Sequence, residues 1–174
     1  NGTVHVVYER SDDLYHMSKP SGGNWSAAYQ FVTAANAQTT PDVAMLGDTL
    51  YVAWADGRSG NDDIYFITRS DAGVWSAEER VNSASLTAQQ RVPAVAVDAA
   101  GAAYVLWEDY RVSASNRDIY FSTKPAGGAW SADVRVGAVS GNEVWPEIGV
   151  DSLGNATALW RQSAANDIYY ATWP

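Results

Sequence analysis

Two short segments place an aromatic residue, a carboxylate and a guanidinium in the same order. Residues 54–58 read Trp-Ala-Asp-Gly-Arg, and residues 107–111 read Trp-Glu-Asp-Tyr-Arg. An arginine can donate two parallel hydrogen bonds to a ligand oxygen, and an aspartate can accept protons from hydroxyl groups. The candidate ligand contacts in these segments are Asp56, Arg58, Asp109 and Arg111. The alternative is a repeated ion pair that fixes each loop, and recurrence at one structural position favours that alternative.

Three further residues stand out because equivalent positions elsewhere in the chain hold different residue types. Trp145 occupies a position where the equivalents are Thr40 and Val92. Tyr110 replaces the glycine of the first segment, and Glu143 lies two residues before Trp145. An exposed Trp or Tyr offers an apolar ring for stacking on a sugar, and a nearby carboxylate can accept hydrogen bonds from its hydroxyl groups. These three residues are therefore candidate glycan contacts, with packing of Trp145 against a neighbouring structural unit as the alternative.

The composition disfavours several other kinds of chemistry. The 174-residue chain has a net charge of −9 at pH 7, which argues against nucleic acid and anionic membranes as partners because both require a basic surface. It has no cysteine, so disulfides and thiolate metal sites are excluded. His5 and His16 lie within strand-like segments, and the clusters near Asp63 and Asp118 lack the spacing of a calcium loop. We therefore expect no metal site and no cofactor, and no apolar run is long enough to span a membrane.

A sequence repeat carries these candidate residues. A tetrad that starts Asp-Leu/Ile-Tyr begins at Asp13, Asp63, Asp118 and Asp167, so successive copies are 50, 55 and 49 residues apart. The sequence Trp-Ser-Ala follows three of the tetrads, at Trp25, Trp75 and Trp130. An apolar run ending in an aromatic residue precedes each tetrad. Several markers in one order and at one period predict a repeat protein with units at about residues 1–40, 41–90, 91–143 and 144–174.

Each complete unit contains four candidate strands joined by short turns. In the third unit they span about residues 94–97, 102–108, 118–123 and 130–136. Gly-containing turns predict hairpins, and the second strand is apolar on both faces, so it needs cover from both sides. A ring of four-stranded antiparallel blades gives that cover. We predict an all-β fold, a β-propeller of four blade units, with about fourteen strands grouped as three, four, four and three; a two-sheet sandwich is the alternative.

One end of these blades is the predicted binding face. Alternate turns of a four-stranded meander lie at opposite ends of the sheet. The turns after the second strand and between units are the longer and more varied set, at residues 56–62, 82–91, 109–117, 137–145 and 161–166. Long loops on a rigid scaffold commonly carry binding sites. We call this end the long-loop face.

The tetrad, the Gly-containing turn and Trp-Ser-Ala resemble the bacterial neuraminidase repeat, or Asp-box, of the sialidase-like β-propeller superfamily. The resemblance covers nearly the whole chain. The best match to the family turn Ser-x-Asp-x-Gly-x-Thr-Trp is residues 70–75, which is one residue short, and the other copies lack the Asp. The family's catalytic signature Phe/Tyr-Arg-Ile-Pro is absent, and the nearest string is Arg91-Val92-Pro93. The resemblance implies the propeller architecture, and we expect no catalytic residue in this chain.

Three functions are compatible with these observations. The first is a non-catalytic binding module of a secreted or cell-surface protein of bacterial type, with a glycan as the leading ligand. The second is a fragment of a sialidase-like hydrolase, and the third is a protein-interaction scaffold. Because the first unit lacks its first strand and the last lacks its fourth, two outcomes are open. The chain closes alone as a small four-bladed ring, or two copies pair into a larger ring of about eight blades, and the apolar second strand of the first unit favours pairing.

Overall fold

Four antiparallel sheets make up the described part of the chain. The computed structural model describes residues 2–83, 87–137 and 140–173, and these residues contain fourteen strands and no helix. The sheets contain three, four, four and three strands in chain order, and each sheet is a simple meander. This arrangement confirms the predicted all-β fold built from propeller blades. In the described segments, no helix is long and apolar enough to cross a membrane.

We number the blades and strands in chain order. Blade 1 contains β1 (Val4–Arg10), β2 (Asp13–Lys19) and β3 (Tyr29–Gln30). Blade 2 contains β4 (Gln38–Leu46), β5 (Thr49–Asp56), β6 (Asp63–Arg69) and β7 (Glu79–Arg80). Blade 3 contains β8 (Gln90–Val97), β9 (Ala103–Ser113), β10 (Asn116–Lys124) and β11 (Val134–Arg135). Blade 4 contains β12 (Glu143–Val150), β13 (Ala156–Gln162) and β14 (Asp167–Trp173).

Adjacent blades pack face to face through three apolar clusters. Blades 1 and 2 share Leu14, Phe31, Val32, Leu50, Val52, Trp54 and Ile67. Blades 2 and 3 share a cluster around Phe66 and Val105, and blades 3 and 4 share one around Leu106 and Trp160. The middle of β5 and of β9 is therefore covered on both faces, as their unbroken apolar sequences predicted. Burial of this apolar surface, at about 25 cal/mol per Å², is the main force that holds the blades together.

The strands of the terminal blades that correspond to β5 and β9 are β1 and β13. They differ from this expectation, because each has a neighbouring blade on one side only in the described chain. In β1, Val4 and Val6 are exposed, and in β13 Leu159 is exposed. These strands have an apolar pattern similar to that of the inner blades, but whether the side chains are buried depends on a neighbouring blade that lies far away along the chain.

The β9–β10 hairpin is longer than the sequence indicated. Residues 109–117 were expected to form a loop, but Ser113 pairs with Asn116 and the ladder shifts register between Asn116 and Asp118. Tyr110 and Val112 are residue types that favour strands, which explains the extension. The outer strands of blades 1, 2 and 3 are conversely short. These strands are β3, β7 and β11, with two residues each.

The first strands of blades 2, 3 and 4 lie next to one another at the inner edges of their sheets. Each of them contains a shift of register, and beside each shift one non-glycine residue has a left-handed backbone. The φ angles are 49° for Thr40, 50° for Val92 and 55° for Trp145. Such bulges turn side chains out of the regular ladder and are common beside functional sites. The repeat therefore directs three equivalent positions toward one shared space.

Candidate functional site

The side chain of Asp56 is fully buried and bonded within its own blade. Its carboxylate accepts hydrogen bonds from Trp54 Nε1 at 2.8 Å, Arg58 Nε at 2.8 Å and Arg58 Nη2 at 2.6 Å. Arg58 also pairs with Glu78 and lies over the ring of Tyr65, 4.2 Å from its centroid. The hydrogen bond to Asp56 raises the pKa of Arg58. The pair fixes the turn that follows β5.

Asp109 and Arg111 repeat this arrangement in blade 3. Asp109 is fully buried and accepts from Trp107 Nε1 at 2.8 Å and from Arg111 Nη2 at 2.6 Å. Arg111 reaches Asp133 at 2.7 Å and lies over Tyr120, 3.9 Å from the ring centroid. Burial lowers the pKa of Arg111, but the hydrogen bonds to both carboxylates outweigh it, so the net shift is upward.

The geometry of both pairs fits the ion-pair interpretation, because the aspartate carboxylates and the arginine guanidiniums bond to each other and to further side chains of the protein. A role in ligand binding for Asp56, Arg58, Asp109 and Arg111 stays a prediction.

Glu143 lies in the interior at the start of β12. It is fully buried, and its Oε2 accepts the backbone N–H of Ile119 at 3.2 Å. In blade 2 the equivalent amide, that of Ile64, bonds to Asn82 instead. Gly137 stands at the position of Asn82, and a Cβ there would lie 2.0 Å from Glu143 Oε1. The missing side chain makes the room that the Glu143 carboxylate fills, so this buried carboxylate has a structural task in blade 3.

Tyr110 borders a cavity on the long-loop face. The cavity has a volume of about 470 Å³ and is also lined by Gln89 and Arg111. The guanidinium of Arg117 lies 5.9 Å from the centre of the Tyr110 ring. Tyr110 is half-buried at this cavity.

Trp145 is the predicted site residue that stands most open to solvent. Its exposed fraction is 60%, and it borders a pocket of about 290 Å³ together with residues 40–42, 92–94, 146 and 147. These are equivalent positions of three inner strands, and we call this space the axial pocket. The guanidinium of Arg161 lies over the indole ring, 4.7 Å from its centroid. Trp145 thus presents an exposed aromatic ring with a cation over one face, rather than packing wholly against the next blade.

Carboxylates from the preceding blade hold two of the three bulges. Glu108 accepts the backbone N–H of Trp145 at 3.0 Å, and its second oxygen accepts from Arg117 at 3.1 Å. Glu9 accepts the backbone N–H of Thr40 at 3.2 Å in the same way. These bonds replace ladder contacts that the bulge removes, so they help to fix the rim of the axial pocket.

The structure therefore connects Trp145 and Tyr110 through Glu108 and Arg117, while the Asp56–Arg58 pair belongs to a separate part of blade 2. Sequence reasoning missed Glu9, Glu108 and Arg161. A signal was present, because all three directly follow the aromatic residue that ends the apolar run of their unit. Because Glu9 and Glu108 are acidic and Arg161 is basic, the residue type alone did not indicate that they share one position in the repeat.

No protein-family model matches the chain, and no curated protein matches it. Solved structures do match. An endo-arabinase from Bacteroides thetaiotaomicron is 11% identical with a TM-score of 0.65, over 98% of this chain and 70% of that one. The NanB sialidase from Streptococcus pneumoniae is 12% identical with a TM-score of 0.61, over 98% of this chain and 28% of that one.

A family 117 glycoside hydrolase from Zobellia galactanivorans is 12% identical with a TM-score of 0.64, and the chain covers 63% of it. At these identities the likeness shows the fold alone. The chain has a β-propeller fold, like these structures. It spans between 28% and 70% of the length of these three structures.

In the two inner blades, the acidic residue of the tetrad bonds to nearby side chains. Asp63 accepts from Ser59 at 2.7 Å and from Asn82 at 2.8 Å, while Asp118 accepts from Arg135 at 2.7 Å. Within the part of the chain that is described, no three His, Cys, Asp or Glu side chains group in a way that could hold a metal ion. These bonds fit the interpretation of the tetrad aspartates as turn-stabilising residues.

His5 and His16 meet across the β1–β2 hairpin. Their rings stack with centroids 5.2 Å apart, and Nδ1 of His5 lies 2.9 Å from Nε2 of His16. Burial and the charge of Arg69 lower the pKa of His16 to about 4. Burial likewise lowers the pKa of His5. Both shifts favour the neutral rings at pH 7, and the shared hydrogen bond requires that at least one of the two facing nitrogens is unprotonated.

Proposed function

We propose that this propeller binds a glycan at the axial pocket without catalysing a reaction. The observation that carries the proposal is Trp145, an exposed indole held at a left-handed bulge on the rim of that pocket. Aromatic rings supply large, rigid contact area for stacking. Arg161 beside the ring adds hydrogen-bond donors for hydroxyl or carboxylate oxygens. Structural neighbours whose names denote an arabinase, a sialidase and a glycoside hydrolase add support for a carbohydrate ligand.

The carboxylates near the pocket support a role without catalysis, because they bond to the protein itself. Both oxygens of Glu108 accept hydrogen bonds from the protein, and Asp42 Oδ2 accepts the backbone N–H of Val95 at 2.7 Å. A glycosidase needs one carboxyl group as acid and a second as nucleophile or base. Carboxylates engaged in this way serve the scaffold better than the chemistry.

The proposal is tested with Trp145→Ala on a panel of immobilised glycans. Loss of a stacked ring costs on the order of 1 kcal/mol, so a glycan retained by the parent protein should bind about five-fold more weakly to the variant. The melting temperature should hardly change, because the side chain is open to solvent. Leu153→Ala is the matched control, since Leu153 is 85% exposed in the turn between β12 and β13, at the opposite end of blade 4. Equal retention of the parent and Trp145→Ala would overturn the site.

A glycoside hydrolase is the second candidate, and one observation favours it. Asp42 and Glu147 both border the axial pocket, and Glu147 is exposed. The purified chain should release no sugar from a fluorogenic sialoside or from a glycan that it binds. Release that is lost in Glu147→Gln, with binding retained, would replace the binding proposal by this one.

Two further assignments accompany the binding proposal. The turn at residues 70–75 is a degenerate Asp-box, in which Asp71 accepts only the neighbouring amide of Ala72 among the bonds that the structure describes. The protein is secreted or displayed at the surface of a bacterial-type cell, where glycans of other cells are accessible. Retention of the labelled chain by intact cells, and its loss after treatment of those cells with glycosidases, would test the second assignment.

A further inference from the structure

Two of the internal blade contacts contain the same aromatic pair. In each, the fourth residue of a tetrad meets the Trp-Ser-Ala tryptophan of the following blade. Trp75 meets His16 with ring centroids 5.6 Å apart at 83°, and Trp130 meets Phe66 at 5.1 Å and 82°. At the contact between blades 3 and 4, a tryptophan from a different position, Trp173 at the end of β14, stacks on Phe121 at 4.8 Å and 8°. The chain therefore makes the T-shaped contact twice, and in the third blade contact another tryptophan covers the fourth tetrad residue.

The two ends of the blade row each carry one unmatched half of the same pair. Trp25 is the Trp-Ser-Ala residue of blade 1, and its side chain is 45% exposed. Tyr170 is the fourth tetrad residue of blade 4, and it is 72% exposed. In the inner blades the residues at these positions are covered by the partner ring. One end of the molecule thus exposes the tryptophan of the pair, and the other end exposes the ring at the position of its partner.

The surroundings of the two rings follow the same rule. The pairings of Tyr8 with Tyr15 and of Trp54 with Tyr65 align β1 with β5, so Val4 and Val6 correspond to Leu50 and Val52. Both Leu50 and Val52 are fully buried against the preceding blade, whereas Val4 is 54% exposed.

In blade 4, the corresponding open residues are Leu159 and Ile168. They match Leu106 and Ile119 of blade 3, which are fully buried against blade 4. Ile168 is 67% exposed. An apolar patch of this kind is a marker of an interaction surface.

We propose that a second copy of this chain covers both surfaces, head to tail. The surface of one copy that carries Tyr170, Ile168 and Leu159 docks on the surface of the other that carries Trp25, Val4 and Val6. A second copy fits because the two surfaces are the two halves of a contact that the chain already makes between its own blades. Because the halves lie at opposite ends, two copies form two identical contacts and close into an eight-bladed ring with two-fold symmetry.

The test measures the mass of the purified 174-residue chain by light scattering at micromolar concentration. The expected mass is twice 18.8 kDa. Trp25→Asp and Tyr170→Asp should each have the mass of a monomer by light scattering, because each places a charge in both contacts of the ring. Circular dichroism should show that both variants remain folded. Val112→Asp is the matched control, as Val112 is 59% exposed on the β9–β10 hairpin, away from both surfaces, and it should remain dimeric.

Mixing the two aspartate variants gives the sharpest result. The Trp25→Asp copy keeps the Tyr170 surface and the Tyr170→Asp copy keeps the Trp25 surface, so the mixture should recover a dimer through one intact contact. A monomeric parent chain would overturn the proposal. A dimer that neither variant weakens, or a mass that grows without limit, would overturn it as well.

Discussion

The Trp-Asp-Arg units show how residues that look reactive in a sequence can serve the scaffold. Asp56 has no exposed surface, and it receives N–H groups from Trp54 and Arg58. A buried carboxylate is stable only when such donors replace water. The same atoms that could bind a ligand are thus needed to keep the carboxylate in the interior.

Removal of the Asp56 carboxylate tests this role. Asp56→Ala leaves the indole N–H of Trp54 and part of the Arg58 guanidinium without an acceptor, so the free energy of unfolding should fall by about 2–4 kcal/mol. Urea denaturation measures the change. Asp71→Ala, at an exposed turn residue, is the control and should lower it by less than about 1 kcal/mol. A loss no larger than that of the control would show that the pair is not structural.

At the scale of elements, the first strands of blades 2, 3 and 4 have a strained backbone at the residues that border the axial pocket. Thr40, Val92 and Trp145 adopt a left-handed backbone that disfavours residues with a Cβ, most of all a β-branched valine. The bulge recurs in three blades, and in two of them a carboxylate of the preceding blade accepts the freed amide. The elements thus keep an unfavourable backbone at the positions that border the axial pocket.

Relief of this strain should be measurable at Val92. Asparagine tolerates the left-handed region better than valine, so Val92→Asn should raise the free energy of unfolding by on the order of 1 kcal/mol. The melting temperature in a calorimeter reports the gain. The comparison is Val134→Asn, at an exposed position of β11, which should be neutral or destabilising because valine favours strands. A lower melting temperature for Val92→Asn would argue that valine packing outweighs backbone strain there.

At the scale of the whole molecule, stability depends on how each blade docks on the next. The contact between blades 1 and 2 differs from the others because His16 stands where Phe66 and Phe121 stand in blades 2 and 3. His16 packs on Trp75 of blade 2 and bonds to His5 of its own blade. Arg69 of β6 faces the pair, and Asp48 in the β4–β5 turn acts on His5 in the opposite sense.

This contact should make the molecule sensitive to acid. The pKa of His16 is lowered from 6.5 to about 4, so between those values the unfolded chain binds more protons than the folded one. Stability is therefore fully present above pH 6.5 and is lost as the pH falls toward 4. His16→Phe should keep the contact with Trp75 and lose less stability between pH 7 and pH 5 than the parent does.

Denaturant midpoints at both pH values measure that difference. His5→Phe is a companion variant that removes the shared hydrogen bond without entering the blade contact. Equal loss in the parent chain and in His16→Phe would assign the acid sensitivity to other groups.

The sequence by itself determined the number and order of the strands. The period of about 50 residues, the tetrads and the glycine turns are local signals, and hairpin pairing follows from them because paired strands are neighbours in the chain. This is why the grouping of three, four, four and three strands was predictable, and why errors fell at strand ends such as residues 109–117.

The tertiary structure decided which side chains are open. Glu143 was expected beside Trp145 at the face of the ring, but it lies inside because Gly137 leaves a space that only the folded blade reveals. Arg161, which lies on β13, contacts the Trp145 ring of β12. A similar apolar pattern is buried in β5 and partly exposed in β1. A pattern of side chains fixes which face of a strand is apolar, but what covers that face is set by a blade some 50 residues away.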